Sequence, residues 1–157
     1  MSTTNPIAKR FREVIFDGKF VAYTNYKDQL SQVKLAEATQ KVGSLNTIAA
    51  LTYHINYYVA GVLNVFEGGG LEIRDKFSFD LPTLKSEDDW EKLKNDLFSN
   101  ADKFAAHLDT FTEEKYKEGF VDKKYGTYRR NIDGMIEHCY YHLGQVSIIR
   151  KMIAEGM

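Results

Sequence analysis

The chain has 157 residues, 43% of them hydrophobic, with 21 lysines and arginines against 22 acids. That length predicts one domain over residues 1–157, burying roughly two-thirds of its unfolded surface, and the near-zero charge excludes a nucleic-acid binder held by bulk electrostatics. A single cysteine, Cys139, excludes an intrachain disulfide, so nothing points to an oxidising compartment and a cytoplasmic location is expected.

In chain order, the polar stretch Met1 to Arg12 lacks the apolar core of a signal peptide. Ile7, Phe11, Val14 and Ile15 recur at helical spacing between Pro6 and Gly18, which predicts a helix over 6–17. Residues 19–42 are mixed in pattern and predict irregular chain with short helical pieces. One piece is capped by Thr24 or Asn25 and runs through Leu30, and another falls within 34–42. Ser44 is expected to cap a long helix over 45–67, where Ile48, Leu51, Ile55, Val59, Val62 and Phe66 recur every three or four residues. Residues 43–66 contain no Asp, Glu, Lys or Arg. Asn46, Thr47, Thr52, His54, Asn56 and Asn64 nevertheless make a lipid-facing span costly, so a buried helix is expected and no membrane partner. Three consecutive glycines, 68–70, then end it.

Residues 71–84 predict a loop long enough to lie over a pocket. Ser86 followed by Glu87, Asp88 and Asp89 opens a further helix through about Asp109, with Trp90, Leu93, Leu97, Phe104 and Leu108 on one face. A short helix over 112–118, a loop over 119–128 and a last helix over 129–155 complete the chain. The expected fold is all-α: a four-helix bundle with long connections and short extra helices.

His138 and His142 lie four apart in the last helix, so both rings leave one face, on a stripe shared with Met135 and Ile149. Such a pair either ligates a metal or is two part-buried histidines bonded to carbonyls or carboxylates. His54 lies near the middle of its helix on the stripe Leu51, His54, Tyr58, Gly61, Val65, and is expected to face inward too. Two histidines on one long helix and a third on another suit a tripod inside a bundle. His107 is expected at an edge of the third long helix.

The segment Glu137-His138-Cys139-Tyr140-Tyr141-His142-Leu143-Gly144-Gln145-Val146 resembles the C-terminal signature of the DinB/YfiT-like superfamily, a helical His-x3-His followed by Gly-Gln. Leu45 to Ile55 resembles the family's earlier helix, whose histidine is the first ligand. The likeness in helix order and spacing spans about residues 5–155. The resemblance implies a four-helix bundle with a crossover connection, a divalent metal held by His54, His138 and His142, and a homodimer. Zinc or nickel heads the expected metals, with iron or manganese as the others.

Three neutral histidines leave open positions for water or substrate, the layout of a catalytic site. Metal-activated water attacking a carbonyl normally needs a nearby carboxylate, but the residues between the paired histidines are Cys139-Tyr140-Tyr141. Glu137 sits about 100° around the helix from His138 and is expected to be solvated or salt-bridged. A metal-held low-molecular-weight thiol attacking a small electrophile needs no such base, and the superfamily includes thiol-dependent S-transferases and an isomerase. That reading is favoured over a small-molecule hydrolase, with a non-enzymatic metal-binding module as the remaining alternative. Cys139 is expected to be a buried apolar residue. Tyr58 and Gln145 are placed to support the site, either orienting a ligand or ring or, for Tyr58, packing as an ordinary aromatic. Arg74, Asp75, Asp80, Lys124, Arg129 and Arg130 fall in or beside the two long loops, where they either rim a pocket or are solvated.

Overall fold

The computed structural model describes residues 4–20 and 22–157. Met1 to Thr3 and Val21, which fall in the polar N-terminal stretch and in the irregular 19–42 region, lie outside it. The described residues are 67% helical, with seven α-helices and no strand. They are α1 (Pro6–Arg12), α2 (Tyr26–Leu30), α3 (Leu35–Ala38), α4 (Ile48–Phe66), α5 (Glu87–Thr110), α6 (Glu113–Lys117) and α7 (Tyr128–Ala154). α1 continues into a π-helical turn over Glu13–Asp17, so the helical rod of 6–17 ends at Gly18 as the sequence predicts. No helix among the described residues is long and apolar enough to cross a membrane.

Side-chain caps set most of the helix starts. Asn5, Asn25, Thr47, Ser86, Thr112 and Thr127 each accept from a backbone N–H of the first turn, satisfying a donor the helix itself cannot. Asn25 rather than Thr24 caps α2. The start of α4 differs from the Ser44 expectation. Leu45 N bonds Val42 O, and Lys41 Nζ donates to Leu45 O, so 42–45 closes as a turn and Thr47 takes over as cap. At the other end of α4, Gly68 adopts φ +96°, a left-handed conformation that glycine accepts without a Cβ clash.

The long helices share one core. Phe11 of α1 meets Phe104 of α5 at 4.5 Å between ring centroids, and Phe16 meets Phe98, so these two helices run antiparallel. Asn100 Nδ2 donates to Asn56 Oδ1, while Phe66 lies against Phe104 and His107, so α4 and α5 run the same way. Phe66 also meets Tyr128 while His54 meets His138, so α7 is antiparallel to α4. The order is therefore up, down, down, up. Buried aromatics with polar tips are satisfied: Trp90 Nε1 donates to Val33 O, Tyr26 Oη to Cys139 O and Tyr116 Oη to Leu108 O.

Because α4 and α5 are parallel, the chain between them must return along the length of α4. It does so as a strap on the outer face of α4. Asn64 Nδ2 donates to Gly70 O, Ile73 covers Gly61, and Tyr57 Oη both donates to Arg74 O and accepts from Arg74 N. Tyr58 Oη donates to Asp75 Oδ1 at 2.7 Å, and a single 3₁₀ turn over Asp75–Phe77 then delivers Ser78 and Phe79 to His54. Gly61 is the close-approach point of the strap. A Cβ there would overlap the Ile73 side chain.

Candidate metal centre

α4 and α7 place three imidazoles at one point. His54 Nε2 lies 3.1 Å from His138 Nε2, and His142 Nε2 lies 3.0 Å from the same atom. His54 and His142 are buried and His138 is half-buried. The opposite nitrogens of two rings are anchored. His54 Nδ1 donates to Ser78 O at 3.2 Å, and His142 Nδ1 donates to Gln145 Oε1 at 2.7 Å. With its proton committed on Nδ1, each of these rings turns an Nε2 lone pair to the centre, which is how a partner behind a histidine orients it for an ion.

The donor set fits a divalent cation. One ligand atom from each histidine falls within 4.8 Å of the others, and no carboxylate or thiol joins the group among the described residues. An ion about 2.0–2.1 Å from each nitrogen sets its ligands ~2.9 Å apart at right angles and ~3.3 Å apart at tetrahedral angles, and the 3.1 Å and 3.0 Å separations at His138 Nε2 fall between these. Of the three rings, half-buried His138 is the one that lines a surface cleft.

Burial is the main cause of the charge state. Desolvation, then the neighbouring His142 and His54, push the His138 pKa down to about 4 from 6.5. Burial, followed by His142, lowers His54 against the raising effect of Ser78 O, and burial lowers His142 against the bond to Gln145. All three rings are neutral at pH 7, as metal ligation needs. Between about pH 6.5 and 4 the unfolded chain binds protons that folded His138 refuses, so stability is full above this window and is lost as the pH falls through it. Metal-free protein is expected to lose about 1 kcal/mol through His138 between pH 7 and 5, a value already reduced for the solvent reaching a half-exposed ring. Urea midpoints measured across that range for wild type and His138→Gln check it, the variant giving the flatter profile.

Comparison with protein families, with curated proteins and with solved structures finds no match to this chain. The site's three histidines were expected together from spacing, and they are together. Gln145, one turn beyond His142, bonds that ring directly. Tyr58 sets its ring edge-on to His54 at 5.1 Å and to His138 at 5.2 Å, with its hydroxyl held by Asp75. Cys139 is fully buried in the core, and burial pushes its thiol up to about 12, as expected of an apolar filler. Glu137 is exposed, 3.7 Å from the Arg130 guanidinium. His107 lies beside Phe66, outside the cluster.

Two contributors were missed. Phe79 stacks on His54 at 3.9 Å and 8°, and the Ser78 carbonyl fixes that ring's proton. The hint was the weak alternation around Phe77 and Phe79 in a loop that also carries Leu71, Ile73, Leu81 and Leu84. Of the loop charges, Arg129 is paired with Asp133, while Lys124 and Arg130 line a cleft of about 530 Å³ that reaches His138.

Proposed function

We infer that the protein is a metal-dependent enzyme of the DinB/YfiT-like kind. In this reading it is a four-helix bundle in which His54, His138 and His142 hold zinc or nickel, and it transfers a low-molecular-weight thiol to a small electrophile. The observation that carries the reading is the convergence of three Nε2 atoms, two of them on rings anchored from behind, beside an open cleft. The up-down-down-up helix order, with its long strap between two parallel helices, supports the family part. The homodimer expected from the same resemblance belongs to the proposal, and exposed Tyr141 and Ile148 on α7 are the apolar surface it would cover.

Bound at the tripod, a divalent ion supplies the positive charge that keeps an incoming thiol ionised near neutral pH. The chain's own residues do the positioning. Neutral imidazoles leave the ion's double charge undiminished. Ser78 and Gln145 hold two rings in one tautomer. Phe79 covers one face of His54 against water. The absence of a carboxylate among the three ligands suits a nucleophile that arrives already acidic.

A second reading, hydrolysis of a small molecule, has one observation in its favour. Asp75, fixed by Tyr58 and close enough to raise the proton affinity of His54, is a carboxylate beside the tripod. Protein purified without an affinity metal column, loaded with zinc and offered a panel of thiols with aryl halides and epoxides, decides between the two. Turnover that a chelator stops and zinc restores is expected. No metal-dependent thiol consumption with any pair overturns the transferase reading, and metal-dependent ester or amide cleavage would put the hydrolase in its place.

A further inference from the structure

The cleft of about 530 Å³ that ends at His138 is walled by Tyr58 on α4, by Arg130 and Asn131 on the first turns of α7, and by Lys124 and Tyr125 from the preceding loop. That volume suits a small-molecule site. No aspartate or glutamate lines it. Lys124 forms no ion pair among the described residues, and Arg130 has only the loose 3.7 Å contact to exposed Glu137, which contributes little in water.

The loop that carries Lys124 is built into place. Phe120 N bonds Gly126 O and Tyr128 N bonds Glu118 O, closing the loop at its base. Asp122 caps its single 3₁₀ turn, and Asn131 Nδ2 donates to both Tyr125 O at 2.7 Å and Thr127 O at 2.8 Å. Lys124 and Tyr125 are thus held at the cleft by a residue of α7 that itself lines the cleft. Beside three neutral histidines, Lys124 without an ion pair and Arg130 with only the loose Glu137 contact outweigh Asp75 behind Tyr58, so the cleft wall is positive, and a divalent ion adds to that field at its inner end.

We propose that Lys124 and Arg130 form an anion subsite, taking a carboxylate or phosphate carried by a small molecule whose reactive atom lies at the tripod. This rests on the reading of the tripod as a metal site and names the substrate class as anionic. Tyr58 and Tyr125 supply the flat sides of the cleft between the two ends. Discrimination comes from the guanidinium and ammonium groups, which bind an oxyanion by charge-assisted hydrogen bonds and give a neutral hydroxyl much less.

The test uses cobalt-loaded protein, whose near-ultraviolet thiolate absorption reports thiol binding directly. It is titrated with mercapto-carboxylic acids of three to six carbons and with mercapto-alcohols of matched length. At one chain length or more the acid is expected to bind at least ~10-fold tighter than the alcohol. That preference should fall below ~3-fold in Lys124→Gln/Arg130→Gln, with cobalt content unchanged. Equal binding of acid and alcohol at every length, or a preference that survives the double substitution, overturns the subsite. If cobalt binds but no thiol gives the absorption, the transferase reading fails, and a second measurement judges the subsite alone. Metal-free protein is titrated with succinate and with inorganic phosphate, following the backbone amides of Tyr125 and Asn131. Saturable shifts that the double variant loses uphold the subsite and identify the anion by which of the two produces them. No shift with either overturns it.

Discussion

His138→Ala is expected to abolish stoichiometric metal binding while leaving the helical fold intact. His138 Nε2 is the hub of the site, 3.1 Å from His54 Nε2 and 3.0 Å from His142 Nε2, so its loss leaves two nitrogens without a third. Its ring is only half-buried, which limits the cost to the core. Loss of a partner behind a ligand typically costs 10–100-fold in metal affinity, so loss of the ligand itself should exceed ~100-fold. Gln145→Ala, which frees only the far side of His142, should fall within that ~10–100-fold range. Elemental analysis and competition against a chelating dye read both. Unchanged stoichiometry in the alanine variants of His54, His138 and His142 would sink the tripod. Because the rings are neutral at pH 7, the wild-type affinity should also weaken on acidification, when protons compete for the lone pairs.

The second large effect is expected at a residue that touches no histidine. Gly61→Val puts branched carbon where Ile73 of the strap already sits. Overpacking of this kind costs about 1–3 kcal/mol. Here the strap is the element free to move, and its displacement withdraws Ser78 O and Phe79 from His54. Stability and metal affinity should fall together, by about 1–3 kcal/mol and by roughly 10-fold. Ile73→Ala in the Gly61→Val background should recover most of both losses, and the double-mutant cycle isolates the contact. Metal affinity unchanged in Gly61→Val would show that the strap does not support the site.

The helices were readable because their signals are local. Caps such as Ser86 and Asn25, a terminator such as Gly68, and apolar residues every three or four positions all act within one or two turns. The tripod was readable for the same reason: a four-residue spacing sets two rings on one face, and the stripe through His54 points a third ring inward. Where local signals tie, sequence reasoning fails. Ser44 and Thr47 are both good caps by residue type, and the 42–45 turn, closed by Leu45 N on Val42 O and braced by Lys41 Nζ on the Leu45 carbonyl, decides for Thr47. Register between distant segments was equally hidden. Nothing near Phe79 says that it will stack on residue 54, because that depends on the direction of α5, and nothing near Asn131 says that it will bind the loop carrying Lys124.

The parallel arrangement of α4 and α5 has a consequence for how such a site can diversify. A 19-residue helix is about 28 Å long, and the twenty residues 67–86 have to retrace that distance before α5 can begin. The path is obligatory and runs past His54. Apart from Leu71, Ile73, Ser78, Leu81 and Leu84, which pack inward, the residues of the strap are exposed. Those exposed positions are freer to vary than the buried faces of the long helices, yet every variant is carried to the edge of the chemistry. The topology gives the protein a replaceable wall, one whose position is guaranteed by the direction of two helices and whose lining can change without rebuilding them.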